Sequence, residues 1–155
     1  MRIHLIAIGQ KMPRWVAEGF ADYAGRMPPE CRLELVELPP GDRGKGGNPA
    51  RAREVEANRL QDALPKGARV IVLDLSGKQW STEDLAGQLS GWLQGGCDVA
   101  LLVGGPDGLS PEVLQRADQR WCLSPLTLPH MLVRVFVAEQ LYRAWSILSN
   151  HPYHR

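Results

Sequence analysis

The side chains best suited to moving protons or holding anions lie in the last stretch of the sequence. Arg143, His151, Tyr153, His154 and Arg155 supply two imidazoles, a phenol and two guanidinium groups. Imidazoles titrate near neutral pH and guanidiniums stay charged, a combination that suits proton relay and the binding of phosphate or a developing oxyanion. Composition alone gives such a tail the ordinary reading of a frayed end. A second cationic group, Arg43, Lys45, Arg51 and Arg53, surrounds the glycine-rich stretch PPGDRGKGGNP, Pro39–Pro49. Gly44-Lys45 lacks both the glycine five residues upstream and the Ser or Thr downstream that a phosphate-cradling loop needs. The stretch is therefore either a solvated linker or a mobile basic finger for a nucleic-acid backbone, with Arg43 and Lys45 as its contacts. Cys31, Cys97 and Cys122 fit neither a CxxC motif nor metal-ligand spacing, and they read as reduced packing thiols.

Three segments able to form a binding site follow apolar runs. Val70–Leu75 is closed by Ser76-Gly77-Lys78. Val99–Val103 is an uninterrupted apolar run that stops at Gly104-Gly105-Pro106, with a second turn signal at Asp107-Gly108. Trp121–Leu123 leads into SPLTLPH, Ser124–His130. That last loop is too apolar for open water, and its two prolines donate no amide hydrogen bond. It is either an ordinary covered connection or the wall of a mostly apolar ligand site. His130 within it reads as a structural hydrogen-bonding residue.

These loops need a scaffold, and the hydrophobic periodicity supplies one. Strands are expected at Arg2–Ile8, Arg32–Leu38, Val70–Leu75, Val99–Val103 and Trp121–Leu123. Helical spacing covers about residues 13–26, 50–64 and 81–93, a short helix opens at Ser110-Pro111-Glu112, and a long one runs from Met131 to Ser149. In the long helix Glu139 stands one turn before Arg143, the spacing of a surface ion pair. Apolar residues occupy most of its circumference (Leu132, Val135, Phe136, Leu141, Trp145, Leu148), so it must be covered on more than one side. Alternating strands and helices predict one α/β domain over residues 1–155, with a mostly parallel sheet and helices on both faces. Ligands of such sheets bind beyond the carboxyl ends of the strands, where the three loops gather. No GxGxxG occurs, so a dinucleotide is not the expected ligand.

Composition narrows the classes further. Of the 155 residues 44% are hydrophobic, enough for a packed core, and the formal net charge is +1. Nucleic-acid contact must then come from local patches rather than a global field. The opening MRIHLIAIGQKM lacks a signal peptide's long apolar core, and no run approaches membrane-span length. A cytoplasmic protein with no membrane or metal partner is expected.

LDLSGK, LLVGGPDGLSP, LSPLTLPH, EQLYRAW and the terminal NHPYHR, with AIGQKMP and GDRGK nearer the start, occur in order along the whole chain. Together they resemble the small SPOUT-class methyltransferases that methylate N3 of a pseudouridine in 23S ribosomal RNA. The resemblance implies a C-terminal trefoil knot, homodimers, S-adenosyl-L-methionine as cofactor and 23S rRNA in the assembled ribosome as substrate. Carried over residue by residue, it has Leu73 packing against the cofactor and Gly104 permitting close backbone approach. Leu123, Ser124, Pro125, Leu126, Thr127 and Leu128 would wrap the adenine and ribose. It also gives the tail a role: Arg143 and Arg155 hold phosphate or oxyanion while His151, Tyr153 or His154 handles the imide proton. The competing readings are a non-catalytic RNA- or ribosome-binding module of the same fold and a methyltransferase of another RNA.

Overall fold

The computed structural model describes residues 1–155. Five strands, β1 (Arg2–Ile8), β2 (Arg32–Leu38), β3 (Arg69–Gln79), β4 (Val99–Val103) and β5 (Gln119–Cys122), form one sheet in the order β2-β1-β4-β3-β5. Every pairing is parallel. β1 and β4 lie inside the sheet and are covered on both faces, which explains their nearly unbroken apolar sequences. Ile3, Leu5 and Ala7 point into one core with helices α1 (Arg14–Gly25), α3 (Thr82–Gly95) and α5 (Leu132–Leu148). Ile6 and Ile8 point into the other, beneath α2 (Pro49–Asp62) and α4 (Pro111–Arg116).

Local chemistry sets the helix starts. The Ser81 hydroxyl accepts from Asp84 N at 3.0 Å while the Asp84 carboxylate accepts from Ser81 N at 3.0 Å, a reciprocal cap for α3. Asn48 accepts from Ala50 N and Ser110 from Val113 N to open α2 and α4. α5 has no side-chain cap. Its first amides instead reach the Pro129 carbonyl, from Leu132 at 3.0 Å and Val133 at 3.3 Å. The prolines of SPLTLPH thus help to start the helix as well as to shape the loop.

β3 departs from expectation: it does not close at Ser76-Gly77-Lys78 but runs on to Gln79. Trp121 pairs with both Leu73 and Lys78, so Asp74–Gly77 bulges out of the ladder and β3 then resumes pairing with β5. At the resumed crossing Gly77 lies flat on the β5 backbone. A Cβ there would sit 2.6 Å from the carbonyl carbons of Arg120 and Trp121. Trp80 then stacks on Trp121 with ring centroids 5.1 Å apart, closing that edge of the sheet.

The tail also differs from a frayed end. Pro152–His154 forms a 3-10 turn held against α5. Of the cysteines, Cys31 and Cys122 are buried as packing residues, whereas Cys97 is exposed and packs nothing. No helix is long and apolar enough to cross a membrane.

Because two backbones meet at Gly77, neither can yield cheaply. Gly77→Ala is expected to destabilise the protein by at least about 2 kcal/mol, read as a lowered urea midpoint. An unchanged midpoint would mean that the crossing tolerates a side chain.

Candidate active site

One cavity of about 480 Å³ opens at the bulge within β3 and the carboxyl ends of β4 and β5. The bulge after Leu73 contributes Asp74 and Leu75. The turn after β4 contributes Val103 and Gly104 through Leu109, and the loop after β5 contributes Leu123, Ser124, Leu126, Thr127, Leu128 and His130. Val133, in the first turn of α5, completes the lining. Of the residues expected to meet a cofactor, Leu73, Gly104, Leu123, Ser124, Leu126, Thr127 and Leu128 are gathered here, and Pro125 is not. Pro125 is exposed beyond the lining.

The β4 turn is compact, with Gly108 N donating to Gly105 O at 3.0 Å. A Cβ on Gly104 would lie 2.7 Å from the Gly108 carbonyl carbon. The glycine is required first by the turn itself, since a side chain here would force open the cavity wall. The opposite loop is fixed at both ends. Ser124 Oγ accepts from Leu126 N at 3.0 Å, and Cys122 Sγ donates to Ser124 O at 3.3 Å. At the other end the His130 ring hydrogen-bonds the Ile8 carbonyl, the structural role expected of it. Four residues on, Arg134 is fully buried; it reaches Glu37 Oε2 at 2.6 Å and Gly9 O at 2.8 Å. Leu75 and Leu126, each 71% exposed, stand as apolar lips at the mouth.

The tail lies elsewhere. Asn150, at φ 58°, turns the chain back, and His151 N donates to Ser146 O at 2.8 Å. Tyr153 packs on Tyr142 at 4.6 Å between centroids, the Arg143 guanidinium lies 5.0 Å over the Tyr153 ring, and His154 Nδ1 meets Ser146 Oγ at 3.2 Å. The Glu139–Arg143 pair forms at 2.7 Å and holds the Arg143 guanidinium above its usual pKa. The proposed proton-handling groups are thus assembled with one another but not with the cavity. Val133 and Ser146 are separated by about 20 Å along α5 at 1.5 Å per residue.

Arg43 was expected on a mobile finger, yet its guanidinium is engaged. It pairs with Glu56, which is buried, and its Nε donates to Asp107 at 2.6 Å. These partners raise its pKa, the Glu56 hydrogen bond foremost. Lys45, Arg51 and the rest of the loop crest are exposed. Glu56, Asp107 and Arg134 were missed by sequence reasoning. A signal existed for two of them: Glu56 falls in register with Ala52 and Leu60 on the inner stripe of α2, and Arg134 with Val137, Ala138 and Leu141 on that of α5. A charge on an apolar stripe implies a buried partner.

Burial pushes the Tyr153 phenol up to about 12, with a hydrogen bond to Tyr23 and the nearby charge of Glu139 adding to it. A raised pKa keeps an acid protonated to higher pH, so this phenol donates hydrogen bonds and does not act as a base near neutrality. In an absorbance titration, the difference between wild type and Tyr153→Phe should stay flat up to about pH 11. A phenolate step near the ordinary tyrosine value of about 10 would show an open, unpaired hydroxyl.

Residues 1–154 match the family described as "Predicted SPOUT methyltransferase". The protein named Ribosomal RNA large subunit methyltransferase H from Hydrogenovibrio crunogenus is 57% identical over 155 residues, 100% of this chain and 99% of that one. Its namesake from Alkalilimnicola ehrlichii is 59% identical over 155 residues, with the same coverage of 100% and 99%. Among solved structures, a probable methylase family protein from Haemophilus influenzae shares the fold with a TM-score of 0.53 at 14% identity, covering 99% of this chain and 70% of that one. A putative methyltransferase from Legionella pneumophila, solved with bound SAM, superposes with a TM-score of 0.50 at 13% identity over 94% of this chain and 66% of its own. With a family match along nearly its whole length and full-length relatives at this identity, the chain belongs to the SPOUT methyltransferase family.

Proposed function

We propose that this protein transfers the methyl group of S-adenosyl-L-methionine to N3 of a pseudouridine in the 23S rRNA of the large ribosomal subunit. The observation that carries the reading is the cavity between the β3 bulge and the carboxyl ends of β4 and β5. Its chemistry fits the cofactor: Leu73, Leu123, Leu126 and Leu128 offer apolar walls for an adenine, and the compact turn at Gly104 and Gly105 lines the cavity beside them. In this reading Leu73, Gly104 and Leu123–Leu128 hold the cofactor, with Pro125 bracing the loop from outside. The cofactor supplies an electrophilic methyl group on a sulfonium. The protein's share is to orient the two reactants, exclude water and manage the proton on the imide nitrogen. The fold takes the C-terminal trefoil knot that the family implies.

The tail supplies the second half of the site from another copy of the chain. Trp15 on α1 is 65% exposed and Phe136 on α5 is 43% exposed, and the two helices pack together at Gly19, where a Cβ would lie 3.6 Å from Val135. A two-fold homodimer over this face would cover both apolar residues. Arg143 and Arg155 then hold phosphate or the developing oxyanion, His151 or His154 relays the imide proton, and Tyr153 donates a hydrogen bond. The enzyme works in the cytoplasm on ribosomes.

The direct test is mass mapping of 23S rRNA from a strain lacking the gene, before and after incubation with purified protein and S-adenosyl-L-methionine. One pseudouridine should gain the mass of a methylene. Cofactor and ribosome binding without that gain would return the non-catalytic reading, and a gain in another RNA would move the substrate.

Deleting His151–Arg155 should leave cofactor binding and the dimer intact while methylation falls by at least about a hundredfold. Calorimetry, light scattering and the methylation assay check the three parts. Wild-type turnover by the truncated protein would make the tail an ordinary end, and a monomer at micromolar concentration would remove the shared site.

A further inference from the structure

The glycine-rich loop Pro39–Pro49 reaches the cavity wall through one side chain. Its base is locked first: Gly41 is buried, a Cβ there would lie 2.5 Å from the Ala52 carbonyl oxygen, and Gly41 N donates to Glu56 Oε2 at 2.9 Å. Glu56, 2% exposed, also accepts from both terminal nitrogens of Arg43, with Nη2 at 2.9 Å from Oε1. The third Arg43 nitrogen, Nε, donates to Asp107 Oδ2 at 2.6 Å. Asp107 and Gly105 both line the cavity, and Gly105 rests on Glu56, where a Cβ would lie 3.0 Å from Oε1. Arg43 itself does not line the cavity, and its guanidinium already serves two carboxylates. Lys45, two residues on, is exposed at the crest.

We infer that Arg43 is a positioning residue: it fixes the cationic loop to the Gly105–Asp107 wall, so that an RNA backbone engaged by Lys45 is held in register with the methyl-donor cavity. This rests on the proposed methylation of RNA. It also reassigns Arg43, from touching RNA to placing the residue that does. The planar fork of arginine is what the role requires. One edge serves Glu56 while Nε serves Asp107, and a lysine ammonium, a point charge, can neutralise Glu56 but cannot span both carboxylates in that geometry.

Arg43→Lys therefore leaves the buried Glu56 with a cation and cuts only the link between loop and wall. The test compares Arg43→Lys, Lys45→Ala and the double variant on ribosomal subunits lacking the modification. Arg43→Lys should melt within a few degrees of wild type and bind S-adenosylhomocysteine within about twofold, while kcat/KM for the subunits falls about tenfold or more. In the Lys45→Ala background the same change should add less than about twofold, because a loop without its phosphate contact has nothing left to register. Lys45→Ala should also lower the salt slope of RNA binding by about 0.7, the share of one phosphate.

Wild-type kcat/KM in Arg43→Lys overturns the inference, and so do effects of the two changes that simply multiply. A parallel tenfold loss of S-adenosylhomocysteine affinity overturns it as well, since Arg43 would then act on the cofactor side. If Arg43→Lys fails to fold, Asp107→Ala removes the acceptor of Arg43 Nε, cuts the same link from the wall and is judged by the same non-additivity with Lys45→Ala. Failure of the wild-type protein to bind S-adenosylhomocysteine or to methylate the subunits overturns the proposed function itself, and this inference with it.

Discussion

Arg134 is the constraint on which the cavity depends. Its side chain has no solvent exposure, and a guanidinium taken out of water is tolerated only where its charge is paired and most of its donors are met. Glu37 on β2 supplies the charge and the carbonyl of Gly9, just past β1, supplies a further acceptor, leaving Nε without a partner. A slipped register would leave the buried guanidinium without its countercharge, so the first turn of α5 has little freedom to slide along the end of β1. The loop that walls the cavity is strung between β5 and this turn. With Trp121 and Cys122 paired to β3 at one end and His130 and Arg134 tied to β1 at the other, an otherwise irregular apolar segment is held in one shape.

The opposite wall follows the same logic with the signs exchanged. There the buried charge is the carboxylate of Glu56, and Arg43 reaches in from the glycine-rich loop to meet it. Both arrangements sit at the carboxyl ends of the strands, and both tie a loop to a regular element by a geometry that a hydrophobic contact would not specify. An apolar contact can slip by a methyl group at small cost. A fork of hydrogen bonds to a carboxylate cannot, because a shifted register leaves a desolvated donor unmet.

Those two anchors also mark the boundary of what the sequence made legible. β1 and β4 could be bounded to the residue because a parallel interior strand is an apolar run ending at glycine or proline, and the edge strand β2 because its alternation of apolar and charged residues stops at Pro39, both local properties. The cavity wall was legible nearly as well, since SPLTLPH is too apolar for water and GGPDG can only turn. β3 was not. Ser76-Gly77 reads as a stop, but the glycine is there so that the strand can resume against β5, whose backbone is more than forty positions away in the chain. Pro125 came with the family resemblance, and it lies outside the lining because the three-dimensional path of the loop decides which of its residues face inward. The partners of Glu56 and Arg134 are likewise long-range. Pattern reading could flag each as a charge on an apolar stripe, but it could not say what met it.

The position of the tail carries the argument one step further. Cavity and tail occupy opposite ends of the same helix, and neither can move toward the other while Arg134 pins the first turn and the Tyr142–Tyr153 contact holds the last. A single chain therefore cannot bring its own His151 or His154 to its own cavity. A two-fold axis perpendicular to α5 changes the geometry without moving any atom within a chain. It sets the α5 helices of two copies antiparallel, so the end of each lies beside the beginning of the other, and it does so twice by symmetry. The proposed dimer thus makes adjacent what the monomer keeps apart. Its exposed apolar residues on α1 and α5 lie on the helices such an axis would bring together, which makes the separation within one chain an argument for the assembly rather than against the site.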